Sequence, residues 1–96
     1  MSVRAGPFTF NRVTYDAPSD VLYATIAAPR PGTRAETPES HLLRFDERGR
    51  FFGITLVNPR EQLAREGGVF VSLPSGERVR VQGAEAEMAP RPGQAR

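Results

Sequence analysis

Two aspartates four residues apart, Asp16 and Asp20, lie between two tyrosines, Tyr15 and Tyr23, in the stretch TYDAPSDVLYATI. A carboxylate pair can serve as acid and base when its surroundings raise the pKa of one member. No other catalytic residue type accompanies this pair. The competing use is a turn between two strands. Asp16 is placed to accept hydrogen bonds from backbone amides two or three residues on, and Asp20 to end the turn. Pro18 has no N–H and suits a bend better than a ladder. The residue types favour the turn, so no catalytic role is expected for either aspartate.

Other chemistry fares no better. Asp46 and Glu47 in DERG give two acids and then a turn glycine, Gly49, whereas a calcium loop needs six or more oxygens. His41 is the only histidine. Its neighbour Ser40 points to the opposite face of a strand, so no triad forms there, and His41 reads as a solvent-facing strand start. Cysteine is absent, which excludes thiol chemistry and zinc sites built on it. No phosphate-cradling glycine loop occurs. No metal or cofactor is expected, and the chain is not expected to be an enzyme.

The chain has 13 basic residues, all arginine, against 11 acids, for a net charge of +2. The arginines are scattered, and a nucleic-acid footprint is a stripe or cluster. The nearest group is Arg44, Arg48 and Arg50, interrupted by Asp46 and Glu47. Tyr15, Tyr23, Phe51 and Phe52 are the rings that would stack bases on an open sheet. In so short a chain those rings are expected in the core or in a dimer contact.

The elements that would position these residues are legible in part. Phe8 to Tyr15 and Val21 to Ala27 read as strands, rich in aromatic and β-branched residues. HLLRF, DERG and RFFGITLV form a hairpin signal, with Asp46 opening the turn and Gly49 at its positive-φ position. Alternation places Phe52, Ile54 and Leu56 on one face of the second strand, and Phe51, Thr55 and Val57 on the other. Asn58 is a fitting N-cap for PREQLARE, with Pro59 first and Gly67 as the stop. VFVSL and RVRVQ around PSGE make a second hairpin, Arg78 and Arg80 facing solvent.

The order YDAPSDVLYATI, a Glu-containing gap, then LLRFDERGRFFGITLVN and a short helix resembles the small bacterial domain-of-unknown-function family 2283. Tyr15, Asp16, Asp20, Leu22 and Tyr23 match its first motif. Asp46, Gly49, Gly53, Ile54 and Leu56 match its second. The likeness spans about residues 11–66. Thr55 stands where the family usually has an acid, and Ala24 where a branched apolar residue is usual. The resemblance implies a small α+β fold with an antiparallel sheet and an antitoxin-like, partner-binding role. It implies no established activity.

These readings give one α+β domain over residues 8–83, holding a Pro-rich loop at 28–40, a loose N-terminus at 1–7 and a disordered tail at 84–96. A core this small is expected to be completed by a second copy, a dimer being favoured, or by a small protein partner. The expected contact residues are Phe51, Phe52, Ile54 and Leu56. The function expected is a non-enzymatic protein-interaction module, with nucleic-acid binding through Arg44, Arg48 and Arg50 as the alternative. No apolar run is long enough for a membrane span and no signal-peptide core is present, so a cytoplasmic location is expected.

Overall fold

The structure, a computed structural model, describes residues 2–89. Its order is β1 (Val3–Ala5), β2 (Phe8–Phe10), β3 (Arg12–Asp16), β4 (Val21–Thr25), β5 (Gly32–Glu36), β6 (Leu42–Asp46), β7 (Phe51–Val57), α1 (Pro59–Glu66), β8 (Phe70–Ser72), β9 (Arg78–Gln82) and α2 (Ala84–Met88). The strands form two antiparallel sheets, one ordered β3-β4-β7-β6-β5 and one ordered β2-β1-β9-β8. The fold is α+β, with two sheets where the sequence suggested one.

The stretch from Phe8 to Tyr15 is divided between those sheets. Phe10 pairs with Val3, whereas Arg12 pairs with Thr25. The apolar positions slip phase at Asn11: Phe8 and Phe10 face the core before it, Val13 and Tyr15 after it. A change of phase by one residue turns the inward face over, so the chain crosses from one sheet to the other there. The C-terminal hairpin β8–β9 joins the N-terminal hairpin, β9 lying antiparallel to β1.

Three expectations are corrected. The N-terminus at 1–7 contains a central strand: β1 lies between β2 and β9, and Val3 and Ala5 are completely buried. Gly6, at φ 59°, turns the chain into β2. The Pro-rich segment at 28–40 contains β5, held by backbone pairing with β6. All five of its residues are exposed, so it has no apolar signature. Within 84–96, residues 84–88 form α2, which buries Ala84 and Met88 four residues apart on one helical face. Residues 90–96 lie outside the described residues.

One core fills the space between the sheets. Leu22, Ala24, Leu43, Ile54 and Leu56 meet Val3, Phe10, Val69, Val71 and Val81, with Ala84 and Met88 from α2. Ile54 and Leu56 are therefore core residues, and the expectation that they form an exposed contact is corrected. The face of β7 they line is covered by the second sheet of the same chain.

Candidate functional site

The β3–β4 turn holds the paired aspartates apart in role. Asp16 accepts a hydrogen bond from the Ser19 hydroxyl, and the Asp20 N–H donates to the Ala17 carbonyl at 3.1 Å. Asp20, at φ 53°, turns its carboxylate toward α1. Its Oδ1 accepts from the Tyr15 hydroxyl at 2.8 Å and from the Arg60 N–H at 3.2 Å, and its carbonyl accepts from Asn58 N–H at 2.8 Å. The Tyr15 hydroxyl is raised above its usual pKa by burial and by that hydrogen bond. The Arg60 guanidinium lies 5.6 Å from the Tyr15 ring and donates to the Met88 carbonyl at 2.8 Å. Asp20 thus joins the turn to the N-terminus of α1.

This geometry corrects the expected cap. Asn58 is itself left-handed at φ 55°, and its side chain makes no capping hydrogen bond. The Asp20 carboxylate satisfies an N-terminal amide of α1 from 40 residues away in sequence. Gly67 closes the helix at φ 78°, donating its N–H to the Leu63 carbonyl at 2.9 Å.

At the β6–β7 turn, Asp46 Oδ1 accepts from the N–H groups of Arg48 and Arg50, both at 2.9 Å, and Oδ2 from Arg50 Nε at 3.1 Å. The Arg50 and Arg48 amides, with the Arg50 guanidinium, hold this carboxyl below its ordinary pKa. Gly49, at φ 79°, completes the turn. Arg50 is engaged by the Asp46 carboxylate and Arg48 sits in the turn outside both strands, so of the three expected arginines only Arg44 lies unpaired on the sheet among the described residues.

A bulge rearranges the aromatic residues of β7. Arg44 pairs with Gly53, but Phe45 pairs with Phe51, which leaves Phe52 as an extra residue. The strand changes phase there. Phe51 turns inward against Phe8, Phe10 and Phe45, with ring centroids 4.8, 6.0 and 5.9 Å away. Phe52 turns to the outer face, where the Arg44 guanidinium lies 5.8 Å from its ring. The expected sharing of one face by Phe52, Ile54 and Leu56 is corrected accordingly. Phe52 is only 6% exposed, so little of its ring is open to a ligand.

The outer face of the five-stranded sheet follows from the register. One row across the strands reads Arg12, Thr25, Gly53, Arg44 and Arg34. The next reads Thr14, Tyr23, Thr55, Leu42 and Glu36. Arg12, Thr14, Arg34 and Glu36 are exposed, and Tyr23 is 44% exposed. Ile26, just past β4, is 42% exposed. Arg44 stretches over this face to within 3.5 Å of Thr55 Oγ1. Among the described residues, Arg12, Arg34 and Arg44 have no ion-pair partner, and Arg34 stands directly opposite Arg44. Arg12 and Arg34, 22 positions apart in the sequence and on the two edge strands of the sheet, are brought into one row only by the strand order.

His41 is not solvent-facing. It is 1% exposed, behind a polar seam between the sheets. Its Nδ1 accepts from the Val57 N–H at 3.0 Å, so Nε2 carries the proton and donates to Gln62 Oε1 at 2.9 Å. Gln62 bridges both backbone groups of Phe70 at 3.3 Å. Beside it, Glu39 accepts from the N–H and hydroxyl of Ser72 at 2.9 and 2.8 Å and from Arg78 Nε at 3.1 Å. Arg78 also pairs with Glu66 at 2.7 Å. Burial alone would raise the Glu39 carboxyl, but the Ser72 hydrogen bonds outweigh it and the pKa falls. Burial lowers that of His41, ahead of the opposing Gln62 hydrogen bond. The seam binds the β5–β6 loop and α1 to β8–β9.

Among the described residues, no group of three His, Asp or Glu side chains could hold one metal ion, and no helix is long and apolar enough to cross a membrane. No family model, curated protein or solved structure matches this chain. The resemblance to family 2283 rests on the two motifs quoted above.

Proposed function

We propose that this protein is a non-enzymatic interaction module whose contact surface is the outer face of the five-stranded sheet. The carrying observation is the exposed ring of Tyr23 on β4, flanked by Arg12 and Arg44 without carboxylate partners among the described residues. Tyrosine and arginine around a small apolar centre are the residue types enriched where proteins meet. The arginines select a partner that presents acidic side chains.

A second reading, single-stranded nucleic acid, draws on the lateral row Arg12, Arg44 and Arg34 and on a hollow of about 340 Å³ lined by Arg30, Arg34, Arg44 and Phe45. The protein reading is preferred because single-strand binders stack successive bases on successive rings. Here Tyr23 is the one ring well exposed on the face, Phe52 being covered.

The test places a photo-crosslinking residue at position 23 of the full chain and irradiates host cells. An adduct to one acidic protein, lost on Arg44→Glu, is the expected result. Adducts to nucleic acid, with log affinity falling against log salt at a slope of about −2 for three phosphate contacts, would put the second reading in its place. No adduct of either kind overturns both.

A further inference from the structure

We infer that two copies of this chain join edge to edge through β5, in an antiparallel register centred on Ala35. The inference goes beyond the reading of the outer face and does not depend on it. β5 is the edge of its sheet, and all five of its residues are exposed. Thr37 N–H donates to the His41 carbonyl at 2.8 Å across the β5–β6 end. Bonded positions alternate along an antiparallel pair. Thr33, Ala35 and Thr37 therefore spend their backbone groups on β6, while Arg34 and Glu36 turn theirs outward. An edge of this kind, unpaired among the described residues, is a template for another strand.

The charges choose the strand and its register. Arg34 and Glu36 lie on the outer face with no ion-pair partner among the described residues. Arg34 faces Arg44 directly across the β5–β6 pair, a like-charge opposition that weakens a sheet. In a two-fold arrangement about Ala35, Arg34 faces the partner's Glu36, and Glu36 faces the partner's Arg34. Each pair also exchanges both backbone hydrogen bonds, giving four across the junction. The partner's Glu36 then lies in one row with Arg34 and Arg44 and offsets their repulsion. A register centred on Arg34 would set arginine against arginine. The ladder ends at Pro38, which has no N–H to donate, with Pro31 just before the strand. These prolines keep the edge short and the register single.

The test is sedimentation equilibrium on the full chain, to concentrations on the order of 100 µM because a five-residue edge is a small interface. Wild type should dimerise. Arg34→Glu alone and Glu36→Arg alone should each weaken association by roughly ten- to a hundredfold, since two attractive pairs become repulsive. An equimolar mixture of the two variants should restore a one-to-one dimer, because every facing pair is again opposite in charge. That rescue shows both variants are folded. A monomeric wild type, a mixture that stays monomeric, or undiminished dimerisation by Glu36→Arg alone would overturn the proposal. Tyr23→Ser should leave the dimer unchanged, which separates a failure here from a failure of the outer-face reading.

Discussion

At the seam between the sheets, the side chains of His41, Gln62 and Glu39 each hold two or more hydrogen bonds. On the outer face, the side chains of Arg12, Thr14 and Tyr23 hold none among the described residues, and all three are exposed. Both regions are polar, but only one is buried. A buried polar group left without a partner costs about 1–3 kcal/mol, so the seam must be fully paired to exist at all. Its pairing therefore reports structure. Exposed groups carry no such penalty, and their freedom is what leaves them available to a ligand. The lone histidine, the residue type most often suspected of chemistry, belongs to the structural region.

That contrast can be broken in three ways. The largest effect is expected from His41→Leu, which leaves the Val57 N–H without its side-chain partner and the Gln62 Oε1 with the Phe70 N–H alone. Urea unfolding should show a loss of about 2–3 kcal/mol. A loss under about 0.5 kcal/mol would mean the seam contributes no more than an ordinary surface residue.

Acid should act next, through the same residue. The folded chain resists protonating His41, whose pKa lies below the ordinary 6.5, while the unfolded chain takes up that proton near pH 6.5. Stability is therefore full above this pH and falls with acidification, at up to about 1.4 kcal/mol per pH unit. Glu39 acts in a lower window. Its folded pKa lies below 4.5, so its contribution is present above that pH and is lost as pH falls beneath it. His41→Gln should flatten the upper window and keep the lower one. A wild-type stability that is level between pH 7 and 5 would refute this account of His41.

The smallest effect belongs to the outer face. Tyr23→Ser and Arg12→Gln should each change unfolding free energy by less than about 0.5 kcal/mol. A larger loss in thermal or urea unfolding would move these residues from the available region to the structural one.

Much of this molecule was legible as local pattern. The DERG turn, the β7 strand, the helix from Pro59 and the stop at Gly67 follow from turn chemistry, alternation and capping, all of which act within a few residues. The phase slip at Asn11 was also written in the sequence, since Phe8, Phe10, Val13 and Tyr15 cannot all face one way on a continuous strand. β1 and β5 were not legible. β1 has only three residues and the five of β5 include no large apolar side chain, so neither shows a burial pattern, and β1 takes its second partner, β9, from far along the chain. The Asp20 cap escaped notice for the same reason, as α1 lies 40 residues beyond the carboxylate that caps it.

The sequence by itself determined which short segments are strand, turn or helix, because φ/ψ preference and side-chain period are properties of neighbouring residues. The tertiary structure alone decided which of those segments share a sheet, which way β7 turns at its bulge, and whether His41 meets water. Each of those outcomes depends on register between strands, and register is a relation between distant residues. A shift of one position exchanges the inside of a strand for its outside. Thus Phe51 packs against the core between the sheets while Phe52 is buried on the other side of β7 under Arg44, and arginines 22 positions apart stand in one row.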